Sequence, residues 1–162
     1  MKKRELKISF EEYSNLEDLN TEDRSLLDQA IESVNKAYAP YSQYYVGAAL
    51  KLKSGEVVTG NNQENVAYPS GLCAERVAIF YASSQFPKME VETIAITAKT
   101  DQFEMDDVVA PCGACRQVLS EYEIKQKKPI RVMLHADGGK VLIFDSIKSI
   151  LPLMFHAEEL KK

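Results

Sequence analysis

Apolar residues recur at helical spacing in the first third of the chain. Between Thr21 and Pro40 they fall on one face of a helix, at Leu27, Ala30, Ile31, Val34 and Tyr38. Thr21 is of a residue type that caps helices, and Pro40 stands beyond the last apolar position. The pattern predicts an α-helix that starts at Thr21 and ends before Pro40.

Stretches rich in β-branched residues follow and predict five strands. YYVGAALKLK and EVVTG flank the turn Ser54-Gly55, which is typical of an antiparallel hairpin. VETIAITAK predicts a buried strand, and PIRVMLH and VLIFD predict two more around the turn at residues 137–139.

Two more helices are expected to begin near the cysteines. One is predicted from Leu72 to about Ala82 and the other from about Gly113 to Tyr122. A short last helix, capped by Ser146, is predicted to stop before residue 152, a proline.

This order of elements predicts an α/β fold with three layers, α/β/α, around a mixed five-stranded sheet. No repeat or Pro/Ser-rich linker divides the sequence. We therefore interpret residues 21–162 as one domain and residues 1–20 as an N-terminal extension, to which the sequence assigns no function.

Composition narrows the possible functions. The chain has 162 residues and a net charge of −4, with no basic run longer than MKKR, which argues against binding to a nucleic acid polymer. No apolar stretch approaches the ~20 residues that span a bilayer, and the first residues lack a secretory pattern. We expect a cytoplasmic protein without membrane contact, in which cysteines stay reduced and serve a metal or catalysis.

The three cysteines have the spacing of a metal site. Cys112 and Cys115 lie one helical turn apart, and Cys73 heads the other predicted helix. Helix N-termini favour thiolates, so all three can bind one cation. Three protein ligands leave the fourth position of a tetrahedral zinc ion open, as in catalytic sites, where the ion lowers the pKa of a water molecule. His135 and His156 lack ligand spacing and are interpreted as a strand-end polar group and a surface residue.

Two charged residues follow Cys73 closely. Glu75 can reach the open side of the metal and act as general acid and base, although a glutamate in a first helical turn is also favoured by the helix dipole alone. Arg76 can donate hydrogen bonds to the sulfurs and offset their charge. Arg116 is the second candidate for that role, and for both arginines an exposed salt bridge is the ordinary alternative.

These motifs resemble a known family. CAER at residues 73–76 and PCGACRQ at residues 111–117 resemble the cytidine deaminases of the small three-cysteine type, and the similarity runs from residue 21 to residue 157. The resemblance implies one zinc ion per subunit on Cys73, Cys112 and Cys115, with Glu75 as the proton shuttle. It implies hydrolysis of cytidine and deoxycytidine to uridine and deoxyuridine, a reaction of pyrimidine salvage.

The resemblance also extends to binding residues. It implies that Asn62 and Glu64 hold the ribose hydroxyls and that Tyr44, where the family usually has phenylalanine, stacks near the pyrimidine. Phe155 resembles the tail aromatic that reaches a neighbouring active site in tetrameric members. A homotetramer is therefore expected.

Alternatives remain at this point. A blasticidin S-type deaminase of the same fold shares the cysteine motifs, and Asn62 with Glu64 argues against it only weakly. A deaminase acting on polynucleotides fits poorly with the acidic charge. A zinc-stabilised binding module without catalysis would have all metal positions filled by protein.

Overall fold

A six-stranded mixed sheet forms the middle layer of the molecule. In the computed structural model, which describes residues 1–157 and 160, the strands are β1 (Glu11–Tyr13), β2 (Tyr45–Leu52), β3 (Val57–Asn61), β4 (Val91–Lys99), β5 (Arg131–His135) and β6 (Val141–Phe144). They follow the order β1-β6-β5-β4-β2-β3 in the sheet. β4 and β5 run parallel, and the other neighbouring pairs run antiparallel.

The prediction of five strands is wrong by one, because the N-terminal extension contributes β1. Tyr13 pairs with Val141 and Glu11 with Ile143, so β1 covers the outer edge of β6. Its sequence, EEY, has neither the length nor the alternation that marks a strand. Pairing with β6, rather than the propensity of its own residues, accounts for this strand.

Helices cover both faces of the sheet, which confirms the three-layer α/β/α prediction. The helices are α1 (Thr21–Val34), α2 (Ala74–Gln85), α3 (Gly113–Gln126) and α4 (Ile147–Ile150). α1 lies on one face of the sheet, over a core that includes Leu27, Ala95 and Met133. α2 and α3 lie on the other face, over a core that includes Ile79, Ile96 and Leu119.

The caps of two helices differ in how well the sequence predicted them. α1 begins at Thr21, but its cap is Asn20, whose side chain accepts hydrogen bonds from the backbone N–H groups of Glu22 and Asp23. Thr21 is already helical, so the prediction of Thr21 as the cap is wrong. Ser146 caps α4 as predicted, by accepting from the Lys148 N–H.

Glycine at one position fixes where α2 meets the sheet. A Cβ atom on Gly60 in β3 would lie 2.5 Å from the Ala74 carbonyl oxygen and 2.6 Å from the Ala78 nitrogen. Only glycine therefore allows α2 to pack this closely on β3. The close approach sets the position of the N-terminus of α2 and of the cysteine that precedes it.

The helices that follow the cysteines end later than predicted, at residues 85 and 126. Within the described residues, none of the helices has the length and apolar character needed to cross a membrane.

Candidate active site and metal centre

The three cysteines converge at the N-termini of α2 and α3. Cys73 is the N-cap of α2, Cys112 is the N-cap of α3, and Cys115 lies in the first turn of α3. Their Sγ atoms all lie within 4.8 Å of one another, and none of the three forms a disulfide. Three sulfurs this close can reach one ion whose zinc–sulfur bonds are about 2.3 Å long.

No fourth protein ligand joins this cluster in the described part of the chain. The group of side chains that could hold a metal consists of the three cysteines, without His135, His156 or a carboxylate. A set of three thiols with one open position is the donor set of a catalytic rather than a structural zinc site.

Arg76 contacts the cluster directly. Its Nη2 atom donates to Cys73 Sγ at 3.6 Å. A hydrogen bond from the Cys115 thiol and then the Arg76 guanidinium hold the pKa of Cys73 well below its usual value, against the opposite effect of burial. Arg76 therefore stabilises the thiolate that a metal needs.

Arg116 has a different role. Its Nε donates to the Pro111 carbonyl and its Nη1 to the Ile150 carbonyl, both at 2.8 Å. The guanidinium thus ties the residue before Cys112 to the end of α4, and it contacts backbone oxygens rather than sulfur.

Glu75 is a buried carboxyl group beside the cysteines. The residue is 4% exposed, and its Oε2 atom is buried with no hydrogen-bond partner among the described residues. Burial raises the pKa of Glu75 above its ordinary value, and the nearby Cys73 adds to the rise. A carboxyl group whose pKa is raised binds a proton more readily than a free one, which suits a group that accepts and returns a proton.

The site opens into a cavity of about 720 Å³. Most of the residues expected at the site line it, namely Tyr44, Asn62, Glu64, Cys73, Glu75, Arg76 and Cys112. The cavity is large enough for a small organic ligand. It therefore brings Tyr44, Asn62 and Glu64 to the same place as Glu75 and two of the three cysteines.

Asn62 and Glu64 line the cavity, and their side chains also form hydrogen bonds with the backbone of residues 41–46. Asn62 donates from Nδ2 to the Tyr44 carbonyl at 2.9 Å and accepts at Oδ1 from the Val46 N–H at 2.8 Å. Glu64 accepts from the N–H groups of Tyr41 and Ser42 and from the Ser42 hydroxyl. Burial alone would raise the pKa of Glu64, but these hydrogen bonds lower it below its usual value.

Tyr44 links the cavity to the loop after β4. Burial raises the pKa of its phenol, and the Glu75 carboxylate adds to the rise. The Phe103 ring lies parallel to the Tyr44 ring, with centroids 6.2 Å apart and an interplanar angle of 17°.

Phe155 and the histidines lie outside the cavity. Phe155 is 72% exposed, and its backbone N–H and carbonyl are both hydrogen-bonded to the Gln117 side chain. His135 is buried at the end of β5, where Nδ1 lies 2.8 Å from Thr97 Oγ1 and burial lowers the pKa of the imidazole. His156 is exposed.

Sequence reasoning missed several residues of the cavity. Tyr41 and Tyr68 line it and meet edge to face, with ring centroids 6.2 Å apart. Ser42 donates its hydroxyl to Glu64. Tyr41 and Ser42 lie within three residues of Tyr44, and Tyr68 lies four residues after Glu64, but only the fold shows that Ser42, 22 residues away along the chain, is the partner of Glu64.

The fold and the site together define an α/β protein with a three-thiol metal centre and a buried carboxyl group. The family model "Cytidine and deoxycytidylate deaminase zinc-binding region" matches residues 20–128. The chain belongs to this family. Its zinc-binding region and the three-cysteine cluster confirm zinc as the cofactor.

Individual relatives agree with the family. A cytidine deaminase of Halalkalibacterium halodurans is 38% identical over 83% of this chain and 95% of its own length. A blasticidin-S deaminase of Bacillus cereus is 30% identical over 85% of this chain and 94% of its own. The crystal structure of a cytidine deaminase from Burkholderia pseudomallei superimposes with a TM-score of 0.72 at 36% identity, over 85% of this chain and 100% of that one.

Proposed function

We propose that this protein is a zinc-dependent hydrolase that deaminates cytidine and deoxycytidine to uridine and deoxyuridine. The observation that carries the proposal is the buried Glu75 carboxyl group, whose Oε2 atom has no hydrogen-bond partner among the described residues, beside three convergent thiols, two of which line the same cavity as Glu75. The family supports the reaction class, and the relatives named cytidine deaminase support the substrate.

Cys73, Cys112 and Cys115 would hold the zinc ion, and Arg76 would stabilise Cys73 as a thiolate. Bound zinc supplies a water molecule of lowered pKa as the nucleophile. Glu75 accepts a proton from that water and delivers it to N3 of the cytosine ring as the water oxygen bonds to C4. Glu75 then takes the proton of the new C4 hydroxyl and transfers it to the amine as the bond between C4 and the amine nitrogen breaks, so that water and cytidine yield uridine and ammonia.

Asn62 and Glu64 are proposed to bind the sugar hydroxyls. A carboxylate has about four acceptor positions, and Glu64 already uses three of them on Tyr41 and Ser42. One position of Glu64 and one N–H of Asn62 are left for substrate. We infer that each residue binds one hydroxyl group.

The decisive experiment replaces Glu75 by Gln. Glu75→Gln keeps the size and polarity of the side chain but cannot carry the proton, so cytidine turnover should fall ~100-fold or more with zinc content unchanged. Ultraviolet absorbance measures turnover, and metal analysis measures zinc. Absence of turnover in the zinc-loaded parent as well as the variant would instead support a binding module without catalysis, and equal measurable turnover in both would exclude Glu75 as the proton carrier.

Blasticidin S is the alternative substrate, because the Bacillus cereus relative covers nearly the same length of chain. Parallel assays on cytidine, deoxycytidine and blasticidin S separate the two functions. The proposal expects kcat/KM to be highest for one of the two nucleosides.

We further propose a cytoplasmic homotetramer that serves pyrimidine salvage and binds neither membranes nor nucleic acid polymers. Free thiols persist in a reducing compartment, which supports the location. The exposed Phe155 ring supports self-association, because an aromatic side chain at the surface gains most from burial against a second subunit.

A further inference from the structure

The loop after β4 contacts the segment that carries Tyr44 at three points. The Thr100 hydroxyl donates to the Gln43 carbonyl at 3.0 Å, and Gln102 Nε2 donates to Gln43 Oε1 at 2.5 Å. The Phe103 ring stacks on the Tyr44 ring. We call Thr100, Gln102 and Phe103 the β4 clamp.

The β4 clamp contacts a turn at Gln43 whose backbone conformation is unfavourable. Gln43 has a φ of 53°, in the left-handed region that residues other than glycine rarely occupy. Its N–H donates to the Ala39 carbonyl at 3.0 Å, and both its own carbonyl and its side chain contact the clamp. Because Tyr44 follows directly, the direction of its side chain depends on this turn.

Phe103 supports Tyr44 from outside the cavity. Tyr44 lines the cavity together with Glu75, whereas Phe103 does not line it and is 59% exposed. The Tyr44 ring thus has a near-parallel aromatic neighbour that itself lies mostly in solvent. Exposure of such a ring is unfavourable, and its stacking on Tyr44 gives it a specific partner.

We propose that Phe103 is a positioning residue that fixes the Tyr44 ring against the cavity and thereby sets how tightly the cavity holds the pyrimidine ring. This inference rests on the proposed function for its substrate. Phe103 contacts no reacting group, so it acts through Tyr44 alone.

The first test compares steady-state kinetics on cytidine. Phe103→Ala should raise KM about three- to tenfold and change kcat less than about twofold, because it removes an aromatic pair that orients the bound substrate. Phe103→Tyr keeps the ring and should restore the parent KM. Phe80→Ala is the matched control, since Phe80 also contacts a tyrosine, Tyr122, but lies outside the cavity.

A double-mutant cycle separates positioning from a general structural effect. In a Tyr44→Ala background, Phe103→Ala should cause no further rise in KM. A rise of the same size in both backgrounds would overturn the proposal. So would a lower melting temperature with an unchanged KM.

A second readout does not depend on activity. With 3-fluorotyrosine placed at position 44, Phe103→Ala should shift or broaden the fluorine resonance, while Phe103→Tyr and Phe80→Ala should leave it in place. An unchanged resonance in Phe103→Ala overturns the proposal. If the zinc-loaded parent deaminates neither cytidine nor deoxycytidine, the proposed function fails, and broadening of this resonance in Phe103→Ala, beyond the shift that loss of the ring current causes, still decides whether Phe103 holds Tyr44 in one orientation.

Discussion

Three residues at the start of α2 supply three different chemical groups within one helical turn. Cys73 places its sulfur at the N-cap, where the helix dipole favours a thiolate. Glu75 points a buried carboxyl group into the cavity, and Arg76 turns back to donate to Cys73. The short spacing of the CAER motif thus joins a ligand, an acid–base group and a charge that balances the ligand.

Arg76→Ala should lower turnover more than stability. The variant loses a hydrogen bond to a charged sulfur, and partners of metal ligands are worth about 10- to 100-fold in activity or metal affinity. We expect kcat/KM for cytidine to fall within that range while the melting temperature changes by only a few degrees. Kinetics, metal analysis and thermal unfolding of the purified variant measure the three quantities.

Arg116→Ala is the contrast for this prediction. It removes two hydrogen bonds to backbone carbonyls, so its larger effect should be on the melting temperature. Unaltered kcat/KM in Arg76→Ala would remove Arg76 from the mechanism.

The sequence predicted those residues whose roles depend on local spacing. Cys112 and Cys115 lie one turn apart, so their convergence follows from helical geometry alone. The partners of Glu64 could not be predicted in this way, because Tyr41 and Glu64 are 23 positions apart and the hairpin between them brings them together. Phe103 lies in an acidic loop without periodicity, and its contact with Tyr44 exists only in the fold.

At the scale of elements, β1 differs most from the prediction. A strand of three residues has almost no signal of its own, and it forms because the edge of β6 offers unpaired backbone groups. By contrast, β4 matches its predicted span from Val91 to Lys99, since six of its nine residues in succession are buried and each of those six is Ile, Ala or Thr. A strand that is buried on both faces needs apolar or β-branched residues, which can be recognised in the sequence. Pairing at a sheet edge uses backbone groups and needs no particular residues.

Phe10→Ala should test how firmly the extension packs on the sheet. The Phe10 ring lies next to Phe144 with centroids 5.3 Å apart, and Phe144 is 7% exposed. Removing the ring should lower the free energy of unfolding by about 1 kcal/mol. Urea unfolding at one fixed protein concentration measures this change, since self-association shifts apparent stability.

KM for cytidine should stay at the parent value in Phe10→Ala, because neither Phe10 nor Phe144 lines the cavity. Tyr81→Ala removes another half-exposed ring and serves as the control, with a smaller expected loss. A free energy of unfolding equal to that of the parent would show that the contact between Phe10 and Phe144 does not stabilise the sheet edge.

At the scale of the whole molecule, Phe155 was expected to bind substrate but lies outside the cavity of its own chain. Its ring is exposed, and Gln117 fixes the backbone on both sides of its Cα atom. The spacing of residues along one chain does not predict a contact with a second subunit, so the sequence pattern alone could not show where the Phe155 ring would be buried. The proposal of a homotetramer therefore predicts that Phe155 acts in the cavity of a neighbouring subunit.

Mixing two impaired variants tests this prediction. Phe155→Ala subunits keep Glu75 but lack the ring, and Glu75→Gln subunits keep the ring but lack the proton carrier. If sites are completed across subunits, unfolding and refolding the two variants together should give some sites with both groups, and cytidine turnover should exceed the sum of the separate variants. Leu153→Ala, at another exposed apolar position of the same segment, should not lower turnover alone. Light scattering should give four chain masses for the parent, and full activity from a monomer would refute the shared site.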